Sequence, residues 1–309
     1  VPVRLGAVEV GGTKVVCLVG SGPDDIASRA RIPTGEPAET LGTVLAFFQQ
    51  EVSSGGPLAA IGIASFGPVE LRRSHARYGF ITTTPKPRWS EVDVVGSVQR
   101  ALGVPVGFDT DVNGAALGEG RWGAARGLDT FVYVTAGTGI GAGAVIEDRV
   151  LHGLGHPEIG HLSVPRQPGD DFAGVCPFHG DCLEGMASGA ALARRWGCRA
   201  ERLEGDKLRA ATELEAAYLA AGLRNIIYAL APQRIVIGGG VASLPELFPL
   251  LQARLSATLA SYPGLPEHAA DDFVVPAALG SLAGPLGAFV LADRARQEDL
   301  DLKEKLRAG

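Results

Sequence analysis

Short apolar runs broken by glycine alternate along this chain with longer stretches in which apolar positions recur at helical spacing. LGAVEVGGTKVVCLVG, Leu5 to Gly20, reads as an apolar strand, a glycine turn and a second strand, and TFVYVTAGTGIGAGAVI, Thr130 to Ile146, repeats the plan. Plain hairpins look like this one at a time. The repetition, with threonine beside the glycines in both, predicts two related halves that each turn backbone N–H groups toward an anion. Between them, Leu41, Val44, Leu45, Phe48 and Val52 fall on one helical face, and AIGIASF reads as a buried strand. A second helix is expected from Ser90, with Ser90 capping the N–H of Asp93, Trp89 and Val94 at staple positions, and Gly103 as its stop before the strand VPVGF. Thr212 to Leu230 is a long amphipathic helix stopped by Pro232; RIVIGGG and a helix from Leu244 to Ser261 follow. This alternation means an α/β fold. The charged end, Asp293 to Lys305, reads as a solvated helix.

At 309 residues, two domains are expected, 1–114 plus about 286–309 and 115–285. No stretch approaches the ~18 apolar residues of a membrane span, and the start lacks the pattern of a secretory signal, so a cytoplasmic protein without a membrane partner is expected. The net charge of −6, with no run of Lys or Arg, argues against nucleic acid as a partner. Of the four cysteines, Cys17 and Cys198 read as ordinary buried thiols.

Cys176 and Cys182 are different, because CPFHGDCLEG places them around His179 in a C-x2-H-x2-C pattern. Upstream, HPEIGH supplies His161 as a fourth ligand. Two thiolates and two imidazoles make a closed tetrahedral set, so the expected Zn2+ is structural and leaves no position for water. HPEIGH is not H-E-x-x-H, since Pro157 separates His156 from Glu158. The polar loop Pro165 to Gly174, poor in apolar residues, is expected to depend on the zinc crosslink. Glu158 and Glu184 lie close to the metal ligands in sequence, and a metal that pins both segments would present two fixed acceptors suited to sugar hydroxyls.

EVGGTK, FDTDVNGAALGE, GTGIGAG, HPEIGH and CPFHGDCLEG, in this order, resemble the ROK family of sugar kinases, and the C-x2-H-x2-C variant resembles its bacterial fructokinase branch. The resemblance implies the actin-like (ribonuclease-H-like) ATPase fold, two α/β domains around a cleft, with ATP, Mg2+, a hexose, bound zinc and often a homodimer. It places Gly11, Gly12, Thr13 and Lys14 in the first phosphate motif, Gly137, Thr138 and Gly139 in the second, and Gly239 and Gly240 at the adenosine-side turn. It puts the base at Asp111, with Thr110 standing where the family usually has Asn and still able to offer a hydroxyl to the sugar, and the sugar-side loops at Ser65–Val69, with Gly67 and Pro68, and Thr82–Trp89. Glu9 occupies a position where many relatives in the wider superfamily have Asp.

Phosphoryl transfer needs alignment, charge stabilisation and a carboxylate that takes the attacking hydroxyl's proton. Asp111, after the strand VPVGF, fills that role; Asp109, expected on the same side of a continuing strand, is the second candidate. The expected activity is ATP-dependent phosphorylation of fructose to fructose 6-phosphate. Mannose, glucose or an N-acyl hexosamine are alternative substrates. A sugar-sensing transcriptional regulator is the alternative class, disfavoured by the acidic charge and by the eight residues ahead of Glu9, too few for a helix-turn-helix domain.

Overall fold

A computed structural model describes residues 3–308; Val1, Pro2 and Gly309, at the ends of the expected first domain, lie outside the described residues. The chain divides into two compact units. The first runs to Gly123, takes a return segment Leu151–His156 and resumes at Ser281; the second comprises Ala124–Val150 and Pro157–Gly280. The first unit therefore continues past residue 114 to the end of a helix.

In chain order the first unit forms β1 (Leu5–Val10), β2 (Lys14–Gly22), β3 (Asp25–Pro33), α1 (Pro37–Gly55), β4 (Ala60–Ser65), the short strands β5 (Phe80–Ile81) and β6 (Val92–Asp93), α2 (Val94–Leu102), β7 (Val106–Thr110) and α3 (Asp111–Trp122). The second forms β8 (Phe131–Ala136), β9 (Ile140–Ile146), β10 (Arg149–Val150), α4 (Leu183–Ala187), α5 (Gly189–Trp196), α6 (Gly205–Leu230), β11 (Arg234–Gly238), α7 (Leu247–Leu259) and β12 (Val274–Pro276). Helix α8 (Ala283–Ala308) returns to the first unit. Among the described residues, no helix is long and apolar enough to cross a membrane.

The two main sheets follow one plan. Their orders are β3-β2-β1-β4-β7 and β10-β9-β8-β11-β12, with antiparallel pairing on the hairpin side and parallel pairing beyond it. In the first sheet Val10 pairs with Ser65 and Ser65 with Thr110, so β1, β4 and β7 all end level. In a parallel sheet that shared carboxyl edge is where ligands bind.

Four sequence expectations change. Helix α2 is capped by Asp93, whose Oδ1 accepts from Gly96 N at 2.7 Å, because residues 92–93 first pair with β5 and delay the helix beyond Ser90. Trp89 is no staple: it is buried, and its Nε1 donates to Gly35 O at 2.9 Å. The strand expected to continue from Asp109 to Asp111 stops at Thr110, whose Oγ1 accepts from Asn113 N at 3.2 Å as the N-cap of α3. Cys17 is buried as expected, but Cys198 is partly exposed.

One face of the first sheet is covered by α1, through Leu41, Val44 and Phe48. Helix α8 covers backbone rather than side chains: a Cβ on Gly62 would overlap Ala288 O, and one on Gly287 would overlap Gly114 O in α3. Leu286, Ala288, Phe289 and Ala292 of α8 are buried there. On an exposed helix Gly287→Ala would stabilise by about 1 kcal/mol. Here overpacking against α3 reverses the sign, and a loss of about 2–3 kcal/mol is expected in urea unfolding; a midpoint equal to or above wild type would show that the two helices do not approach so closely.

Candidate active site

The first unit's site is built from chain exits at the carboxyl edge. Strand β1 leaves through Gly11–Gly12–Thr13, closed by Gly11 N donating to Lys14 O at 2.9 Å. Strand β4 leaves through Phe66–Gly67–Pro68, with a cis peptide before Pro68, and Val69 N donates to His156 Nε2 at 3.1 Å. Thr82 N and Oγ1 both donate to Pro68 O, at 2.8 and 3.0 Å. Strand β7 leaves directly into α3, which puts Asp111 at the first helical position, where aligned peptide dipoles favour a carboxylate. Its Oδ1 accepts from Val112 N at 2.9 Å.

Asp109 has other work. At 3% exposure, its Oδ1 accepts from Thr110 N at 2.8 Å and Asn113 Nδ2 at 2.6 Å, and its Oδ2 lies 3.0 Å from His152 Nε2. The hydrogen bond to Asp109 raises the His152 pKa, and with Thr110, Asn113 and His152 all on its carboxylate Asp109 is a structural clamp. Thr110, expected to offer its hydroxyl to sugar, is 2% exposed and serves as a helix cap. Burial, and then the like charge of Asp111, push Glu9 up to about 7, against a smaller opposing effect of Lys14. A divalent cation with ATP at this edge would relieve that repulsion, so Glu9 and Asp111 fit a magnesium-associated role.

In the second unit β8 and β9 are joined by Gly137–Thr138–Gly139, with Gly137 N donating to Gly139 O at 2.9 Å. The N-terminus of α5 rests on this turn: Gly189 N donates to Gly137 O at 2.7 Å and Ala190 N to Thr138 O at 3.3 Å. Strand β11 leaves through Gly239, whose φ of 90° favours glycine, and Gly240. Glycine at 12 and 137 is not a demand of the fold, because a Cβ at Gly12 would meet nothing within 4 Å and one at Gly137 only Thr135 Oγ1 at 3.9 Å. The vacant space at each turn suits a ligand that approaches the backbone closely.

His161, Cys176, His179 and Cys182 come together, their donor atoms all within 4.8 Å of one another. His161 Nδ1 lies 3.5 Å from Cys182 Sγ and 3.6 Å from Cys176 Sγ, and His179 Nδ1 lies 3.7 Å from Cys176 Sγ. A tetrahedral zinc with bonds of about 2.3 Å to sulfur and about 2.0–2.1 Å to nitrogen holds neighbouring S and N atoms about 3.6 Å apart. The donor set fits that ion. Burial pushes the Cys182 thiol up to about 11, so a thiolate there calls for a cation beside it. The knuckle turns at Gly180, φ 64°, where Cys176 N donates to Gly180 O and Gly180 N to Cys176 O.

Two features of this region were not visible in the sequence. Glu184 Oε2 accepts from Ile140 N at 2.9 Å, which ties the residue after the knuckle to the Gly137–Gly139 turn; Glu158 is exposed and stands beside the 3-10 turn Ile159–His161. The loop Pro165–Gly174 also has its own anchor: Asp170 pairs with Arg195 and accepts from Tyr218 Oη at 2.5 Å, while Arg195 lies 4.2 Å from the Phe172 ring centre. Burial alone would raise the Asp170 pKa, but these hydrogen bonds outweigh it and hold the carboxyl below its ordinary value. That loop does not depend on zinc alone.

Residues 5–295 match the ROK family model. A fructokinase of Zymomonas mobilis is 42% identical over 93% of this chain and 95% of its own length, and a fructokinase of Pediococcus pentosaceus 39% over 94% and 98%. Among solved structures, a ROK family glucokinase from Streptomyces griseus, in complex with glucose and AMPPNP, superposes with a TM-score of 0.73 at 26% identity, covering 94% of this chain and 99% of that one. With its actin-like α/β architecture and its match across nearly the whole length, the chain belongs to the ROK family.

Proposed function

We propose that this protein is an ATP-dependent, magnesium-requiring fructokinase that converts fructose to fructose 6-phosphate, with Asp111 as general base. The observation that carries the reading is the level ending of β1 and β7, which puts a carboxylate at a helix N-terminus on the same sheet edge as a turn open to close backbone approach. The nearly full-length likeness to two fructokinases supports the choice of sugar.

In this reading Asp111 accepts the proton of the sugar's primary hydroxyl as its oxygen bonds to the terminal phosphorus of ATP. The amides of the Gly11–Thr13 and Gly137–Gly139 turns carry the phosphate oxygens, and Gly239 and Gly240 face the adenosine. Gly67, Pro68, Glu158 and Glu184 take the sugar. Asp109 holds Asn113 and His152 and leaves the proton transfer to Asp111. Magnesium, when bound with ATP, would supply charge neutralisation, with Glu9 as this chain's contribution to its surroundings. Zinc held by His161, Cys176, His179 and Cys182 would have no open position, so it acts only by fixing Glu158 and Glu184. A cytoplasmic, reducing setting that keeps the two cysteines as thiolates, and a homodimer, complete the proposal.

Initial rates with ATP and magnesium across fructose, glucose, mannose and an N-acyl hexosamine test the substrate, and fructose is expected to give the highest kcat/KM. A higher value for another hexose transfers the assignment to that sugar, and no turnover on any rejects the kinase. Asp111→Asn should bind fructose and ATP nearly as wild type while kcat drops by about 10²–10⁴-fold. Near-full turnover in that variant, with Asp109→Asn inactive, would move the base to Asp109. Cys176→Ser should lose the metal by elemental analysis, unfold at lower temperature and show a raised KM for fructose. Because Glu184 also supports the Ile140 amide, the KM for ATP should rise as well, by a smaller factor; an unchanged fructose KM in the zinc-free variant would sink this role.

A further inference from the structure

Resemblance assigns the Thr82–Trp89 segment to the sugar side, yet its lysine reaches the phosphate turn. Lys86 Nζ donates to Gly12 O at 2.6 Å and lies 3.3 Å from Thr34 O. Both acceptors are neutral carbonyls, and among the described residues no carboxylate forms an ion pair with Lys86. The placement is braced from several sides. Thr34 Oγ1 donates to Gly11 O at 2.7 Å, Thr34 N donates to Thr13 O at 3.1 Å, and the buried Trp89 holds the far end of the loop through Gly35 O.

An ammonium has three donors and a full charge. Two donors are spent on carbonyls, so the third, with an uncompensated charge, is left beside a turn whose Gly12 position is vacant. Lysine is no compositional default here: only five of the 28 cationic side chains are lysine, and two of those five, Lys14 and Lys86, border this turn. A compact ammonium with rotatable donors can hold two carbonyls and still give its third hydrogen to an anion, which the planar fork of arginine does poorly.

We infer that Lys86 is a catalytic cation whose ammonium contacts the transferring phosphoryl group at the Gly11–Thr13 turn. The inference rests on the reading of that turn as phosphate-binding. As the sugar oxygen bonds to phosphorus, the bond from phosphorus to the bridging oxygen breaks and its electron pair leaves with ADP. The hydroxyl proton goes to Asp111. Lys86 keeps its own proton throughout and offsets charge on the phosphoryl oxygens, which persists from ATP to sugar phosphate.

The test uses Lys86→Met, which keeps length and removes charge, with Lys86→Arg and Gly12→Val, by steady-state kinetics and by calorimetric titration with Mg-ATP, Mg-ADP and fructose. For Lys86→Met, kcat is expected to fall about 10²–10³-fold. The ATP Kd should rise while the Kd values for ADP and fructose and the unfolding temperature stay at wild-type values. Lys86→Arg, which keeps the charge in a poorer shape, should recover part of kcat. Equal weakening of ATP and ADP with a lower unfolding temperature would make Lys86 a loop staple and overturn the inference; so would a raised fructose Kd with ATP unaffected, or an unchanged kcat. Gly12→Val separates the two levels of argument, since a side chain there meets no atom of the fold within 4 Å. If it binds ATP and ADP as wild type, the phosphate reading of the turn fails; if it loses both while Lys86→Met behaves as wild type, only the role of Lys86 fails.

Discussion

The parallel register that ends β1, β4 and β7 at one level is the constraint from which the first unit's chemistry follows. Val10, Ser65 and Thr110 are locked side by side by ladder hydrogen bonds, so the next residue of each strand must leave the sheet at the same edge. A slip of one residue would turn every side chain to the opposite face and bury the exits, a cost set by the whole apolar face of the sheet. Helix α8 reinforces the register from behind. It lies on Gly62 and Gly114 so closely that the backbone itself forms the contact, and a shifted strand would bring a side chain where only hydrogen fits. Rigid support of this kind suits a reaction whose catalysis is mostly alignment.

The second unit meets a different problem. Between β10 and α4 the chain has little regular structure, only a 3-10 turn and isolated bridges, and it buries few large apolar groups. Such a segment would open at low free-energy cost. Two crosslinks oppose this. The Cys–His set ties His161 to the Cys176–Cys182 knuckle, and Asp170 ties the intervening loop to Arg195 and Tyr218. Glu184 then ties the knuckle to the Ile140 amide, so the segment that carries Cys176 and Cys182 also supports the Gly137–Gly139 turn.

What the sequence showed and what it hid follow from the range of the forces involved. The strands, both Gly-Thr turns and the metal set were legible, because local periodicity and ligand chemistry are written in neighbouring residues. Helix α3 was not, since DVNGAALGEG has weak helix formers and three glycines; it is a helix because Thr110 caps it and α8 packs on it. Of helix α8 only the charged end, Asp293 to Lys305, was legible; its first turns were not, as glycine and alanine there bring it onto the backbone of β4 and α3 beside Leu286 and Phe289. Ser90 lost the cap to Asp93 because β6 pairs first. Asp109 and Lys86 meet partners distant in sequence, His152 43 positions away and Gly12 74 positions away, whereas Thr110 caps a helix through Asn113, only three residues on.

The two sheets share a plan but not an outcome, and the difference lies in the third strand. In the first, β7 ends at Thr110 and the chain turns at once into a helix that begins with a carboxylate. In the second, β12 ends at Pro276, and Ala277 N is spent on Ile237 O; Ala277, Ala278 and Leu279 follow, none of which can take a proton. Backbone amides for phosphate can be supplied twice, because a triphosphate has charge for two turns. A proton acceptor is needed once, at one hydroxyl, and a second carboxylate would add like-charge repulsion, which at Glu9 acts after burial in pushing the group up to about 7. The duplicated scaffold therefore repeats its glycine turns, while a carboxylate at a helix N-terminus, Asp111 of α3, follows the first sheet's third parallel strand and has no counterpart after β12.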